Sequence, residues 1–203
     1  GQLAAGVGHE INNPMAVVKG HVAILNKLIE KDQFNVEKLQ NGLQKIDLAV
    51  DRVTKIVKGL KTFSRSDIGE HETINFSEVL KDSIELVREI YEKDGVEFRE
   101  KISENLYVEG DRGRLQQVII NLFSNAKDAI GSDKGTIDVN CHVAGEAINL
   151  YVKDSGRGIP CSVVDKIFDP FYTSKGINEG TGIGLTLSHQ IMVEHSGEIK
   201  LKE

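Results

Sequence analysis

A regular apolar seam between residues 36 and 60 constrains the fold of this chain more than any other feature of its sequence. The apolar residues follow one another at alternating steps of three and four, as in a coiled coil or a helix bundle. They are Val36, Leu39, Leu43, Ile46, Val50, Val53, Val57 and Leu60. The spacing predicts one long helix from about residue 35 to residue 66, which would span roughly 48 Å at 1.5 Å per residue.

A second apolar stripe precedes this seam and predicts another helix. Its members are Leu3, Val7, Ile11, Met15, Val18, Val22, Leu25 and Leu28. The polar stretch between the two stripes, residues 30–33, is short enough for a hairpin of two antiparallel helices. Two helices this long cannot bury their seams with only each other, so the sequence predicts a four-helix bundle made by two copies of the chain.

Length and charge predict that the hairpin is one of two domains. At about 150 residues per domain, a chain of 203 residues makes one large or two small domains. Residues 1–67 carry ten Lys and Arg against seven Asp and Glu, a balance of +3, whereas residues 68–203 carry 15 against 24, a balance of −9. We therefore expect the hairpin at residues 1–67, a linker at 68–75 and a second domain at 76–203.

The composition excludes several classes of protein. No apolar run approaches the roughly 20 residues that a bilayer-spanning helix needs, and no signal peptide is recognisable, so we expect a cytoplasmic chain without membrane contact. Two cysteines, Cys141 and Cys161, are too few for a disulfide framework or a thiolate zinc site. The net charge of −6 argues against general nucleic-acid binding.

Beyond residue 75 the pattern is typical of an α+β sandwich, so the predicted fold class is α+β with an N-terminal helical hairpin. Ser77 is the predicted N-cap of a helix that runs to about Asp94, and Asp111 is that of a helix that runs to Ile130. A last helix is predicted at residues 186–195. Strands are predicted at residues 96–102, 106–108, 135–142, 147–153 and 199–201, with a turn near residues 144–145.

Two asparagines on the helix that begins near Asp111 are candidate metal ligands. Asn121 and Asn125 are four residues apart and therefore share one face of that helix. Amide oxygens are hard, neutral ligands that suit Mg²⁺, which takes only one or two protein ligands when phosphates supply others. Without further context, such a pair is more often explained as two asparagines on a helix surface.

A carboxylate at a strand end is the second candidate. Asp154 follows the predicted strand 147–153 and precedes Gly156 and Gly158, which let the backbone approach a flat ligand closely. A carboxylate at this point can accept a hydrogen bond from the exocyclic amine of adenine. By itself, the Asp-x-Gly-x-Gly spacing is also typical of a simple turn.

A glycine-rich segment, residues 180–185, opens the last predicted helix. Backbone amides freed of side chains at a helix N-terminus form an anion site suited to phosphates. The preceding segment, residues 167–175, contains aromatic residues and is followed by Gly176, as expected of a hinged lid whose Lys175 could meet a phosphate. Each of these motifs alone is moderate evidence for a nucleotide site, but the four motifs in this fixed order are strong evidence.

In that order, the motifs resemble the catalytic core of the two-component sensor histidine kinases. Residues 121–129 resemble the N box of that family, 154–158 the G1 box, 168–171 the F box and 180–185 the G2 box. The resemblance implies a Bergerat-type ATP-binding fold, with Asn125 as the chief Mg²⁺ ligand, Asn121 as its partner, Asp154 on the adenine amino group and residues 159–180 as the ATP lid. The nucleotide-binding residues that it implies are Asn121, Asn125, Asp128, Asp154, Gly156, Gly158, Ile159, Lys175, Gly180, Thr181, Gly182, Ile183, Gly184 and Leu185.

The H box, which separates the kinases from other Bergerat-fold ATPases, is matched by residues 8–14 in the first helix. An imidazole, whose reference pKa is about 6.5, is mostly neutral at pH 7, so His9 is expected to have a ring nitrogen whose lone pair can attack the γ-phosphoryl group. Glu10, as the family implies, holds the proton on the other nitrogen. Asn13, four residues from His9 on the same face, could orient a water on phosphohistidine or phosphoaspartate. Pro14 is expected to kink the helix there.

The other histidines are expected to be structural or surface residues: His21, His71, His142, His189 and His195.

The resemblance covers residues 6–199 and is similar to the nitrogen-regulator-like branch of the family. It implies a homodimeric protein-histidine kinase that autophosphorylates His9 with ATP and Mg²⁺ and passes the phosphoryl group to an aspartate of a response-regulator receiver domain. A phosphatase activity toward that regulator stays open. The family's last turn and final strand are missing after Glu203, so we expect this chain to be an excised catalytic core. Attachment of the full-length protein to a membrane is compatible with this expectation.

Two other functions fit parts of the sequence. A nucleotide-gated dimeric binding or phosphatase module with little kinase activity would carry the same nucleotide motifs, although an intact H box disfavours it. A structural coiled-coil scaffold would explain residues 1–67 and nothing beyond them. Basic residues on the second helix could meet an acidic receiver, but a solvated helix face is the simpler explanation.

Overall fold

The computed structural model describes residues 2–30, 35–64, 72–174 and 182–202, with side chains at all of these positions except 2–7, 9, 10, 55 and 58–64. The chain divides into two compact units. The first comprises Gly1–Ser66 and Ile167–Thr186, and the second comprises Asp67–Lys166 and Leu187–Glu203. Residues 167–186, which the sequence assigns to the second domain, therefore group with the N-terminal residues.

Two long helices of the first unit, α1 (Gln2–Glu30) and α2 (Val36–Ser64), pack against each other, which confirms the predicted hairpin. α1 is assigned as one helix through Pro14, which is buried. A Cβ atom on Gly42 would lie 2.8 Å from Cδ2 of Leu25, so glycine lets the two helices approach closely at this level. No described helix of the chain has the length and apolar character that crossing a membrane requires.

The predicted seam of α2 divides into two rows. The first row is half-buried within the unit and comprises Leu39, Ile46 and Val53. The second row leaves about half of each side chain exposed and comprises Leu43, Val50 and Val57, at 58%, 48% and 48%. One chain therefore covers only part of its apolar seam.

The second unit contains two small sheets. Strand β1 (Glu72–Asn75) pairs antiparallel with β3 (Tyr107–Gly110). The larger sheet has the order β2 (Val96–Ile102), β4 (Gly135–Ala144), β5 (Ala147–Asp154), with β2 parallel and β5 antiparallel to β4. The helices that accompany them are α3 (Phe76–Lys93), α4 (Arg112–Ile130) and, from Leu187 onward, α5 (Gly184–Glu194).

The core of this unit lies between the larger sheet and helices α3 and α4. Buried residues alternate along β4, at Ile137, Val139 and Cys141, so one face of the sheet points inward. Phe123 of α4 meets Phe98 of β2 edge to face, with ring centroids 5.2 Å apart. This packing holds α4, which carries both candidate asparagines, directly against the sheet.

The N-terminus of α3 differs from the prediction. Asn75 is the N-cap, because its Oδ1 accepts a hydrogen bond from the Ser77 amide at 3.2 Å. The prediction that Ser77 caps the helix was wrong. The buried Ser77 hydroxyl donates to the Ser103 carbonyl at 2.8 Å and accepts from the Leu106 amide at 3.1 Å, so it joins α3 to the segment before β3.

The ends of α4 confirm the prediction. Asp111 is its N-cap, with Oδ1 accepting a hydrogen bond from the Arg114 amide at 3.0 Å. Gly131 follows its last residue with φ of 73°, a backbone conformation that glycine adopts without the cost that other residues bear.

The other predicted elements agree with the structure to within two residues at each end, with two differences. Residues 72–75, assigned to the linker from the sequence, form β1 because their backbone pairs with β3. The rest of that linker, residues 68–71, lies outside the described residues. The strand predicted at residues 199–201 was wrong, since these residues pair with no described strand.

Candidate active site

Helix α4 positions the two candidate metal ligands. Asn121 and Asn125 are both half-buried and lie one helical turn apart, as predicted. The Nδ2 amide group of Asn121 donates a hydrogen bond to the hydroxyl of Ser188 on α5, at 3.3 Å. Asn121 is thereby held by a residue that is distant in sequence.

The loop after β5 places the candidate adenine-binding carboxylate. Asp154 is the last residue of β5, and its Oδ1 accepts a hydrogen bond from the Gly156 amide at 2.9 Å. The next amide along the chain, that of Arg157, donates to the carbonyl of Ala129 at 3.2 Å. The loop therefore rests on the last turn of α4, one turn beyond Asn125.

Gly156 is required by this close approach. A Cβ atom at this position would lie 2.5 Å from the carbonyl oxygen of Ala129 and 2.7 Å from the amide nitrogen of Ile130. Both are backbone atoms of α4, which cannot rotate away as a side chain can. Gly158 has φ of +69°, and a Cβ atom there would meet nothing within 4 Å, so its conformation, and not crowding, favours glycine.

The start of the same loop is held to the sheet. The Ser155 amide donates to the Thr136 carbonyl at 3.1 Å, and the Thr136 amide donates to the Ser155 hydroxyl at 2.9 Å. Asp154 itself stands opposite Ile137 in the β4–β5 register. The carboxylate thus sits between two anchored points, one on β4 and one on α4.

The part of α5 that belongs to the second unit runs antiparallel to α4. Ser188 contacts Asn121, Glu194 forms an ion pair with Arg114, and His195 meets the N-terminus of α4. The order of these contacts reverses between the two helices, which defines their relative direction.

His195 is structural, as predicted, and its tautomer follows from its partners. The Asp111 amide donates to Nε2 at 3.0 Å, so Nε2 accepts and Nδ1 carries the proton, which it donates to the Ile191 carbonyl at 2.8 Å. Sequence reasoning missed this contact and the role of Ser188. The available signal was a serine on the buried face of α5, next to Leu187 and one turn from Ile191.

Residues 167–186 of the first unit bring the F box and the G2 box together. The Phe171 amide donates to the Gly182 carbonyl at 2.9 Å, and the Thr186 hydroxyl donates to the Phe168 carbonyl at 3.0 Å. Gly182 has φ of +63°, and a Cβ atom there would lie 2.5 Å from the Phe171 carbonyl oxygen. Hydrogen bonds therefore join the F box to residues 182 and 186, in and just after the G2 box.

The remaining G2 residues open α5. Ile183 is buried, and Gly184 begins the helix, followed by Leu185. Lys175, Gly180 and Thr181 lie outside the described residues.

The H box lies on α1, in the first unit. His9 and Glu10 belong to the helix, but their side chains lie outside what the structure describes. Asn13 is exposed one turn after His9, as the spacing predicts. The structure therefore brings Asn121, Asn125 and Asp154 together in one unit and places the H box in the other.

The other two predicted nucleotide-binding residues of the second unit, Ile159 and Asp128, are both exposed. Ile159 is 41% exposed in the loop after β5. Asp128 is exposed on α4, and its negative charge helps to raise the pKa of Tyr91 of α3, for which burial is the larger cause. Asp128 is thus close to α3 as well as to the end of α4.

The donor set suits a metal that is shared with phosphates. Among residues with described side chains, no group of three or more His, Cys, Asp and Glu is placed to hold a metal ion. Asn121 and Asn125 offer amide oxygens from one helix face, which fit Mg²⁺ when other oxygens come from a ligand.

Two protein-family models match the chain. The model described as "Histidine kinase-, DNA gyrase B-, and HSP90-like ATPase" matches residues 110–203. The model described as "His Kinase A (phospho-acceptor) domain" matches residues 1–69. The first match includes α4, the loop after β5 and α5, and the second includes α1 and α2.

Curated relatives and a solved structure agree with these matches. Sporulation kinase A of Bacillus subtilis (strain 168) is 31% identical over 98% of this chain, and the sensor histidine kinase ZraS of Escherichia coli (strain K12) is 32% identical over 99%. The chain spans 32% and 42% of these two proteins. The histidine kinase ThkA, solved in complex with the response regulator protein TrrA, is 29% identical with a TM-score of 0.75, over 100% of this chain and 58% of that one. With a phosphoacceptor domain followed by an ATPase domain of this type, the chain belongs to the two-component sensor histidine kinases and is a catalytic core of that family.

Proposed function

We propose that this chain is an ATP-dependent protein-histidine kinase that phosphorylates its own His9 and passes the phosphoryl group to an aspartate of a response regulator. The observation that carries the proposal is the anchoring of the Asp154 loop on α4, one turn beyond Asn125. It supports a site in which one unit would supply both the acceptor for adenine and hard oxygen ligands for the metal. The two domains would be residues 1–67, for dimerisation and phosphotransfer, and residues 76–203, for ATP binding.

Asp154 would recognise the adenine base. Its Oδ1 is engaged by the Gly156 amide, which holds the carboxylate in one orientation at the end of β5. A carboxylate accepts hydrogen bonds but donates none when ionised, so it suits the exocyclic amine of adenine. Guanine presents a carbonyl at the corresponding position, so ATP is favoured over GTP.

Asn125 and Asn121 would hold Mg²⁺ together with the phosphates. When bound, Mg²⁺ neutralises the charge that develops on the phosphates during transfer. The two amides stand on one face of a helix that is packed into the core, so their positions depend little on local flexibility. The backbone amides around Gly182 and Gly184 would meet phosphate oxygens, as at other helix N-termini.

His9 would be the nucleophile. One ring nitrogen forms a bond to the γ-phosphorus as the bond from that phosphorus to the leaving oxygen of ADP breaks, while Glu10 holds the proton of the other ring nitrogen. Asn13 would orient a water that attacks the phosphoaspartate of the regulator. Its exposure on the same helix, one turn from His9, supports this role.

Dimerisation through α1 and α2 is supported by the exposed row of the seam. Leu43, Val50 and Val57 recur every seven residues and remain about half exposed in one chain. A regular apolar row of this kind is typical of a surface that pairs with a second helix in a bundle. A second copy of the chain would cover it.

The response regulator is proposed as the partner. The similar kinase ThkA was solved with the response regulator protein TrrA, and residues 1–69 match a phosphoacceptor domain. Use of ATP and of such a regulator would place this catalytic core in the cytoplasm.

The test is acid-labile labelling of His9. The chain is incubated with γ-labelled ATP and Mg²⁺, and the label is then exposed to acid, which removes phosphate from histidine but not from serine. His9→Gln should abolish labelling and leave ATP affinity within a few fold, because Asn121, Asn125 and Asp154 lie in the other unit. His21→Gln, the same change on the same helix, should retain labelling. A label that is acid-stable, or that survives His9→Gln, would refute the proposal.

A further inference from the structure

Ser188 is a polar residue at a core position of α5. It is fully buried, next to the buried Leu187 and one turn before the buried Ile191. Burial of a hydroxyl is costly unless a hydrogen bond compensates for the lost contact with water. Here the Ser188 hydroxyl accepts a hydrogen bond from Nδ2 of Asn121, at 3.3 Å.

In the structure, the Nδ2 end of the Asn121 amide makes this contact. The two ends of an asparagine amide have nearly the same shape but opposite chemistry, since Nδ2 only donates and Oδ1 only accepts. With Nδ2 directed at Ser188, Oδ1 is the end of the amide that this hydroxyl does not engage. Only Oδ1 can serve as a ligand for a cation, because the NH2 group would direct hydrogens at it.

The helix that carries Ser188 is itself held in position. Glu194 of α5 forms an ion pair with Arg114 of α4, and the Asp111 amide at the N-terminus of α4 donates to His195 at 3.0 Å. These contacts lie at the far end of the helix pair from Ser188 and prevent α5 from sliding along α4. The Ser188 hydroxyl is therefore presented to Asn121 by two rigid elements.

We infer that Ser188 is a positioning residue for the nucleotide site: its buried hydroxyl orients the Asn121 amide so that Oδ1 faces the metal-bound phosphates of ATP. The inference rests on the proposed role of Asn121 in holding Mg²⁺. Ser188 acts through Asn121, whose amide it contacts.

The chain contains a matched control for burial. Ser83 of α3 is also fully buried, but its hydroxyl donates to the Val79 carbonyl of its own helix at 2.6 Å. Ser83→Ala removes a buried hydroxyl without touching the amide of Asn121. Any effect that both serine variants share is an effect of burial or stability.

The experiment measures the affinity of the full chain for a non-hydrolysable ATP analogue, with saturating Mg²⁺ and with EDTA. The variants are Ser188→Ala, Asn121→Ala, the double variant and Ser83→Ala. Ser188→Ala should reduce the gain in affinity that Mg²⁺ brings by about 2- to 10-fold, the effect of one hydrogen bond, and leave the affinity in EDTA unchanged. The double variant should match Asn121→Ala, because Ser188 has no effect once the amide is gone. Ser83→Ala should change neither affinity.

Three results would overturn the inference while leaving the metal role of Asn121 standing. They are an equal loss with Mg²⁺ and with EDTA, a loss in the double variant that exceeds that of Asn121→Ala, and an unchanged Mg²⁺ gain in Ser188→Ala beside a reduced gain in Asn121→Ala. If Asn121→Ala itself keeps the full Mg²⁺ gain, the proposed metal role of Asn121 fails, and the inference fails with it. Kinase activity is tested separately, by the labelling of His9, so the two failures are distinguishable.

A second variant and a spectroscopic measurement distinguish loss of the orienting contact from loss of folding. Ser188→Cys fills the same buried space with a weaker acceptor and should show a loss of the same kind. The side-chain NH2 signals of Asn121, assigned by their disappearance in Asn121→Ala, should shift in nucleotide-free Ser188→Ala and stay unchanged in Ser83→Ala. Unchanged NH2 signals in Ser188→Ala would contradict the orienting contact.

Discussion

Replacement of Gly156 by alanine should both destabilise the protein and weaken nucleotide binding. The added Cβ atom would lie 2.5 Å from the Ala129 carbonyl oxygen and 2.7 Å from the Ile130 amide nitrogen. The same Cβ atom would lie 2.4 Å from the carbonyl carbon of Ala129. Carbon atoms prefer non-bonded separations of about 3.5–4.0 Å, so the loop must move by about 1 Å. Because the atoms in the way belong to the backbone of α4, the loop has to yield.

The cost follows from the contacts that the loop would lose. Overpacking of a close contact costs about 1–3 kcal/mol, and loss of the hydrogen bond from the Arg157 amide to Ala129 costs about 0.5–1.5 kcal/mol more. We therefore expect Gly156→Ala to lower the free energy of unfolding by about 2–4 kcal/mol. Because Asp154 is bonded to the Gly156 amide, its carboxylate moves too, and ATP affinity should fall at least about tenfold.

Urea unfolding followed by circular dichroism measures the first effect, and titration calorimetry without denaturant measures the second. Gly113→Ala is the matched control, since Gly113 lies inside α4 and a Cβ atom there meets only Oδ1 of Asp111, at 3.4 Å. Alanine is the better helix former by about 1 kcal/mol, so this variant should be as stable as the wild type or more so. Wild-type stability and wild-type ATP affinity in Gly156→Ala would refute the packing of the loop on α4 as the determinant of the Asp154 position.

Three further predictions test the nucleotide site, the H box and the core. Asp154→Ala should weaken ATP binding by roughly 10- to 150-fold, and equal affinities of the wild type for ATP and GTP in calorimetry would contradict the adenine role. Asn13→Ala should retain labelling of His9 and slow phosphate loss from a phosphorylated receiver. Glu10→Ala should mainly reduce the labelling and leave the phosphate loss. Equal losses of labelling rate and phosphatase rate in Asn13→Ala would indicate that Asn13 has a role in helix structure only. Exposed Cys161 should react with a thiol reagent in mildly alkaline solution while Cys141 stays protonated, because burial raises the pKa of Cys141 to about 11, and reaction of both thiols before unfolding would contradict this.

The sequence by itself determined the elements and the motifs. The apolar spacing of α2, the Asp111 cap of α4 and the strand pattern of residues 135–142 are local, and each predicted its element to within two residues. Local patterns succeed here because helix periodicity, capping and strand alternation depend on residues only a few positions apart. The same locality explains the error at α3, where Asn75 and Ser77 are both able to cap. The choice between them was made by Ser103 and Leu106, which engage the Ser77 hydroxyl.

Only the tertiary structure decided how the candidate residues are held. Asn121 meets Ser188 across 67 positions of sequence, and the Asp111 amide meets His195 across 84. The Asp154 loop likewise rests on Ala129, in another element. No spacing rule links such pairs, because the register of α5 along α4 and of β5 beside α4 is set by the packing of whole faces. The contact between the Asn121 amide and the Ser188 hydroxyl is a consequence of that packing.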